Sequence, residues 1–301
     1  MSDLPLISDL KDIYWMDKSR VRASFDRAAQ TYDAAAVLQK MVRTEMFSRL
    51  NLVKIKPKAI LDAGCGTGHG SFALQKKFSA AHVISLDIAL GMLQKTHQQQ
   101  PFLSKLFKKK SLICADIEGL PFANSSIGLV WSNLALQWCN DLDAAFGEFS
   151  RVLQPNGLLM FSTFGPDTLK ELRAASSSAN GENANTRVSR FIDMHDIGDA
   201  LTRAGFSAPV LDVERYTLTY DDVKSVMKDL KAIGAHNATE GRARGLQGRG
   251  FLQQLAQNYE QFRVDGKLPA TFEVVYGHAW KSQTKQNLGI GVSPITFKTY
   301  K

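Results

Sequence analysis

Four apolar segments of this chain each stop on a side chain that can grip a hydroxyl or an amine: Asp62, Asp87, Asp116 and Asn133. In an open parallel sheet a ligand lies across the carboxyl ends of the strands, so these are the positions to inspect. Core packing does not explain three acids and an amide at four successive strand ends, because a buried carboxylate without partners is costly. Between the first two lies Gly64-Cys65-Gly66-Thr67-Gly68-His69-Gly70. Alternating glycines let the backbone turn sharply and come closer to a ligand than any Cβ would permit. The chemistry implied is the holding of a nucleoside, with Asp87 placed where a carboxylate accepts hydrogen bonds from ribose hydroxyls.

The pattern of strand, glycine turn, helix, strand and acid suits NAD as well as S-adenosylmethionine. Two details favour the second. A dinucleotide fingerprint spaces its third glycine so that pyrophosphate sits on the helix N-terminus, whereas His69 stands at that place here. Asp62, just ahead of the turn, would repel a pyrophosphate but suits the cationic amino group of a methionine moiety.

The elements that must position these residues follow from periodicity. Strands are expected at 58–63, 82–87, 111–115, 127–133 and 157–163, alternating with helices, one of them at 71–78. Such alternation implies a parallel sheet covered on both faces. The stripe Leu142, Ala145, Phe146, Phe149, Val152 and Leu153 marks the clearest helix, capped by Asp141 or Asp143 and ended by Pro155-Asn156-Gly157. Two helices are expected over 18–50. Beyond the fifth strand come helices at 166–175, 194–204, 220–232 and 251–262 and strands at 210–218 and 271–277, the last read as an antiparallel edge strand. The polar run 176–186 reads as a mobile inserted loop. The expected architecture is α/β and Rossmann-like: a seven-stranded, mostly parallel sheet with an antiparallel edge strand, N-terminal helices and a helical lid. Its divisions are a cap at 1–54, a cofactor-binding core at 55–165, lid, substrate helices and last strands at 166–280, and a tail at 281–301.

Composition narrows the function classes. Cys65, Cys114 and Cys139 are widely spaced, with no histidine cluster at ligand spacing, so neither a metal site nor a disulfide framework is indicated. No signal-peptide or membrane-span pattern is evident, which implies a cytoplasmic chain without membrane association. The net charge of +8 and pI near 9.3 admit nucleic acid, yet the basic residues are dispersed and no nucleic-acid-binding signature accompanies them. An acidic protein partner explains the charge equally well. Lys108-Lys109-Lys110 reads as a solvated helix or loop end, and Arg242, Arg244 and Arg249 as a flexible cluster able to grip phosphate or carboxylate.

Over residues 55–165 the set of strand-end residues resembles the class I S-adenosylmethionine-dependent methyltransferases. That resemblance implies that Gly64 and Gly66 line the methionine portion and that Asp62 lies beside it. It gives the ribose to Asp87 and the adenine to Asp116, the Ile117 backbone and Met92, with Ile88 also cofactor-binding. Asn133 and Leu134 close the far side. The flanking motifs Phe25-x-x-Ala28-Ala29-x-x-Tyr32-Asp33, Ser132-Asn133-Leu134-Ala135-x-Gln137-Trp138, Phe161-Ser-Thr-Phe-Gly165 and Lys231-Ala-Ile-Gly234-Ala235 extend the likeness nearly to Trp280. There the chain is similar to the malonyl-(acyl-carrier protein) O-methyltransferases of biotin synthesis. The resemblance implies methylation of the free carboxylate of a malonyl thioester on acyl-carrier protein or coenzyme A; a monomer is expected, though nothing in the sequence fixes the oligomer.

A carboxylate, with a reference pKa of about 4, is already ionised at pH 7 and needs no general base. Catalysis then requires desolvation, orientation and a cation with a hydroxyl donor to hold the carboxylate. Tyr32, Arg190 and Lys231 are the candidates, with Trp138 a pocket wall and His278 structural. Two further readings stand beside this one, apart from another small-molecule carboxyl methyltransferase. The segments Phe164 to Arg173 and Trp138 to Leu142 also resemble a respiratory complex I assembly factor that hydroxylates protein arginine. A nucleic-acid methyltransferase is less well matched, since Asn133 is followed by Leu134-Ala135, which supplies no polar clamp for a base.

Overall fold

A computed structural model describes residues 15–100, 111–180, 191–234 and 249–283 of the chain. In order these give α1 (Lys18–Ala28), a single turn α2 (Tyr32–Ala35), α3 (Val37–Asn51), β1 (Ala59–Ala63), α4 (His69–Lys77), β2 (His82–Asp87), α5 (Leu90–Gln98), β3 (Ser111–Cys114) and β4 (Ile127–Asn133). A 3-10 turn (Leu136–Trp138) leads to α6 (Leu142–Val152), β5 (Leu153–Phe164), α7 (Lys170–Asn180), α8 (Met194–Arg203), β6 (Phe206–Tyr220), α9 (Val223–Ala232), α10 (Arg249–Glu260) and β7 (Leu268–Lys281). Aspartates start four helices: the side chains of Asp17, Asp141, Asp193 and Asp222 accept from first-turn backbone N–H groups that would otherwise lack partners.

Among the described residues the strands form one sheet in the order β3-β2-β1-β4-β5-β7-β6. β3, β2, β1, β4 and β5 run parallel, and β7 pairs antiparallel with both β5 and β6. Strand order reverses between β1 and β4, which opens a crevice at their carboxyl ends. The sheet buries two cores. On one face Val42, Met46, Leu74, Leu172, Val226 and Tyr259 pack from α3, α4, α7, α9 and α10 onto Ile60, Leu129 and Trp131. On the other, Phe146, Phe149, Ile197 and Leu201 from α6 and α8 pack onto Leu61, Val130 and Phe161. Strand alternation sends Leu61 and Ile60 to opposite faces, and Asp62 shares the face of Ile60.

Three expectations are corrected here. The antiparallel pairing lies at that side of the sheet as expected, but the last strand is internal and β6 takes the margin. A margin strand has pairing on one side only, and β6 alternates between half-buried and exposed positions, while β7 is buried almost throughout. The helix expected at 166–175 begins at Lys170 instead. Buried Glu273 accepts from the Asp167 amide at 2.8 Å, the Leu169 amide donates to the Thr271 carbonyl, and Leu169 adopts φ 55°, so this stretch is pinned to β7 as a turn. Finally, the run read as a loop from 176 is helical through Asn180. The remainder of that loop, 181–186, lies outside the described residues.

The tightest crossing of the sheet identifies a glycine that must stay a glycine. A Cβ on Gly277 would lie 2.2 Å from Cζ of Phe161 and 2.8 Å from Cδ2 of Leu211, and Phe161 is fully buried. Gly277→Ala is therefore expected to destabilise the protein by about 1–3 kcal/mol, the usual range for overpacking. Adding Phe161→Leu should give a double mutant more stable than the sum of the two single effects implies, as measured by denaturant unfolding. Strict additivity would show that the two side chains do not collide.

Candidate active site

The crevice at the reversal point is a cleft of about 620 Å³, open solvent included. Its floor is the glycine turn. Gly64 adopts φ 77° and Gly66 φ 54°, and a Cβ at Gly64 would lie 2.3 Å from that of Ala135. The Gly64 and Cys65 amides both donate to the Leu86 carbonyl, at 2.8 and 2.9 Å, which fastens the turn to the end of β2.

Asp87 completes that junction. One carboxylate oxygen accepts from the Gly66 amide at 2.8 Å and the other from the Ala89 amide at 2.9 Å. Each oxygen keeps a lone pair for a ligand hydroxyl. Burial pushes its pKa up to about 6 against the opposing pull of those amides. Asp116 also lines the cleft, its Oδ1 taking the Lys18 ammonium at 3.1 Å and the Glu118 amide at 3.1 Å. Ile88, Met92, Ile117, Asn133 and Leu134 line it as well. Asn133 accepts from the Ser162 hydroxyl, and its amide points to the Gln39 carbonyl at 3.4 Å.

The roof comes from the N-terminal helix. Lys18, Val21 and Phe25 of α1 line the cleft, Phe25 meets Trp138 edge to face at 5.2 Å, and Tyr32 stands over Gly66. Polar staples hold the roof down. Asn140 exchanges two hydrogen bonds with the Met16 backbone, Arg22 donates to the Ile88 carbonyl at 2.8 Å, and Asp26 accepts from the Gly91 amide at 2.7 Å. Lys18 also pairs with Glu118. The half-buried Tyr32 has no hydrogen-bond partner for its hydroxyl among the described residues, and burial with Asp87 nearby raises its pKa, so it stays a neutral donor.

Comparison with known proteins bears on this geometry. The family described as Methyltransferase domain matches residues 61–161. A malonyl-(acyl-carrier protein) O-methyltransferase of Methylovorus sp. (strain MP688) is 65% identical over 95% of this chain and 97% of its own. One from Gallionella capsiferriformans (strain ES-2) is 54% identical over 94% and 98%, and one from Coxiella burnetii 38% over 91% and 92%. The chain belongs to this family. Among solved structures, a candidate methyltransferase of Bacillus halodurans C-125 superposes with a TM-score of 0.56 at 17% identity, covering 80% of this chain and 99% of the other. Phosphoethanolamine N-methyltransferase 2 of Haemonchus contortus, solved with S-adenosylmethionine, gives 0.52 at 18%, covering 86% and 57%. The fold is that of the class I methyltransferases.

The residues present fit the methyltransferase cofactor. The Gly64 and Gly66 backbone leaves open the space that side chains would fill, and Asp87 offers free lone pairs at the strand end. Not every residue expected at the site is brought to it. Asp62 is buried beneath the turn instead of lining the cleft, since strand alternation turns it toward α4, where the Ser71 hydroxyl donates to it at 2.6 Å. Burial raises its pKa to about 7, with Ser71 and Arg43 opposing. Lys231 is exposed because it lies off the buried Val223 and Val226 stripe of α9, and it does not line the cleft. Arg190 lies outside the described residues. Lys18 and Val21 went unnoticed in the sequence, since a helical lysine normally reads as solvated; Phe25 and Ala135 carried a signal only as parts of motifs.

Two outcomes follow from the carboxyls. Asp87→Ala should weaken S-adenosylhomocysteine binding at least tenfold, since charge-assisted hydrogen bonds contribute about 1.5–3 kcal/mol each; calorimetry on the folded variant reads this directly. Asp62 holds its proton more tightly folded than unfolded, so its favourable share of stability is present below about pH 4 and is lost as pH rises through 7. Asp62→Asn keeps an acceptor for Ser71 and should raise the melting temperature of the ligand-free protein at pH 8 but not at pH 4. A difference independent of pH would place the carboxyl in water.

Proposed function

We propose that this chain methylates the free carboxylate of a malonyl group carried on acyl-carrier protein, with S-adenosylmethionine as methyl donor. The observation that carries the reading is the state of the titratable groups lining the cleft. Lys18 is tied to Asp116 and Glu118, Tyr32 and Cys139 are held protonated by burial, and Asp87 is engaged by two amides. The lining carboxylate with a pKa near neutrality, Asp87, stands at the nucleoside end, so a nucleophile already ionised at pH 7 suits the transfer end. A malonyl carboxylate is one.

When bound, the cofactor supplies an electrophilic methyl group on a sulfonium. Its methyl group would pass to a carboxylate oxygen, the carbon–sulfur electron pair staying with sulfur. The protein's part is to strip water from the carboxylate beneath Phe25, Tyr32 and Trp138 and to aim it. Malonyl-(acyl-carrier protein) is the substrate named for relatives at 37% to 65% identity, which favours this reading over arginine hydroxylation. The methyl ester would mask the charge so that chain-extending enzymes accept the product. The carrier would dock through dispersed basic surface; Arg242 and Arg244 of that expected cluster lie outside the described residues, and Arg249 begins α10.

Mass spectrometry of malonyl-carrier incubated with S-adenosylmethionine should show one added methyl group on the malonyl carboxylate; methylation of any other atom would overturn the assignment. With a net charge of +8, encounter with an acidic carrier should be sensitive to salt, because exposed charges are screened beyond about 8 Å at physiological ionic strength. Raising ionic strength should depress turnover of malonyl-carrier more than that of malonyl-coenzyme A. An identical response to both would discard carrier docking by charge.

A further inference from the structure

Within the dispersed basic surface, one helix carries its cations in register. On α9, Lys224, Met227, Lys228 and Lys231 are all exposed. Their spacing of i, i+3, i+4 and i+7 puts them on one stripe, which at 1.5 Å of rise per residue is about 10 Å long. The opposite face anchors the helix through buried Val223 and Val226, which pack into the core. No acid of α9 shares the stripe. The one acid in the helix, Asp229, falls on the other side of the turn and is half-buried. Among the described residues no ion pair engages the three ammonium groups, whereas surface arginines elsewhere pair with nearby acids: Arg20 with Asp17, Arg151 with Glu148 and Arg203 with Asp143. Like charges one turn apart repel, and an acidic surface laid across them would relieve that cost.

The stripe ends at the mouth of the cleft. One residue beyond Lys231, the Ala232 carbonyl accepts from the Thr31 hydroxyl at 3.1 Å, immediately before Tyr32. Gly234, at φ 74°, closes against the roof: a Cβ there would lie 3.1 Å from Cδ1 of Phe25 and 3.2 Å from Cβ of Ala28. Phe25 and Tyr32 both line the cleft. Lys231 therefore stands beside the entrance, and Lys228 and Lys224 lead away from it along the surface. Past Tyr32, the start of α3 adds exposed apolar side chains in Val37 and Met41, as Met227 does on the stripe itself.

We propose that the Lys224, Lys228 and Lys231 stripe of α9 is the surface on which an acidic face of the carrier protein docks, with Met227 as its apolar contact. The proposal rests on the malonyl-carrier reading given above. A carrier seated there delivers its thioester arm past Tyr32 and beneath the roof. Lys231, expected to hold the substrate carboxylate, then acts on the carrier instead.

The test compares two charge reversals of equal size. Lys224→Glu with Lys228→Glu alters the stripe and leaves Lys231 in place. Lys54→Glu with Lys56→Glu alters two exposed lysines ahead of β1, at the strand ends away from the cleft. Fluorescence anisotropy with labelled carrier bearing no malonyl group reads docking without chemistry. The α9 pair should weaken carrier binding by about tenfold or more and flatten its salt dependence, with S-adenosylhomocysteine affinity unchanged by calorimetry. The KM for malonyl-carrier should rise in step while kcat holds. The Lys54 and Lys56 pair should bind carrier nearly as the wild type does. Equal losses for both pairs would reduce the effect to net charge, and a loss of S-adenosylhomocysteine affinity would make α9 part of the cofactor site; either overturns the proposal. So would unchanged carrier binding by the α9 pair, or wild-type protein that binds duplex DNA through the stripe in preference to carrier. The docking measurement involves no methyl transfer. A wild type that binds carrier through α9 but methylates no malonyl thioester would therefore remove the malonyl reading alone, and one that methylates malonyl-coenzyme A but binds no carrier would remove the docking surface alone.

Discussion

The bond from the Gly66 amide to the Asp87 carboxylate is the joint on which the site depends. It ties the turn after β1 to the end of β2, with the Gly64 and Cys65 amides already fixed to Leu86 alongside. The backbone can make these bonds only with left-handed residues at Gly64 and Gly66, and it can approach Ala135 only without a Cβ. The cost of the joint is a buried carboxyl whose pKa is driven up to about 6. It stays mostly ionised at neutral pH because two amides compensate for the lost water. One residue thus closes the turn, caps the entry to α5 through Ala89 and offers lone pairs to a ligand.

The parallel half of the sheet and its polar strand ends were legible in the sequence because each depends on local pattern. Apolar runs of strand length ending in Asp62, Asp87, Asp116 and Asn133 need no knowledge of distant packing. The face on which Asp62 lands was not legible. Strand alternation offers two choices, and only the position of Ser71 and α4 decides between them. The same holds at the antiparallel side, where β6 and β7 exchange places relative to the simplest order. Both are long and rich in β-branched and aromatic residues, so propensity cannot rank them. Lys18 escaped notice for a related reason: its acidic partners Asp116 and Glu118 are about a hundred residues away in sequence and adjacent in space.

The roof explains why the cleft needs its N-terminal helix. Strand ends and glycine turn make a platform open to water, and α1 converts it into an enclosed site. Its attachment is mostly polar: Met16 to Asn140, Lys18 to Asp116 and Glu118, Arg22 to Ile88, Asp26 to Gly91. The apolar contacts beneath are two small satellite clusters, one of Ala28, Ala29, Ala89 and Met92 and one of Met16 and Val21 with Phe25, Ile88 and Trp138. Half-buried polar contacts and small apolar clusters part more readily than a large apolar interface would. A roof held in this way can lift to admit a nucleoside and close again without disturbing the two main cores.

The two ends of the cleft differ in how completely they are satisfied before anything binds. At the nucleoside end Asp87, Asp116 and Lys18 all have protein partners, so the platform is set in advance. At the transfer end the Tyr32 hydroxyl lines the cleft without a partner among the described residues. Interactions already complete bind ground and transition states alike, whereas groups awaiting partners can be satisfied most fully by the geometry of transfer. The nucleoside half therefore provides affinity and registration. The unsatisfied half, fixed by α2 and α3 over Asp62, is where binding energy can be turned into rate.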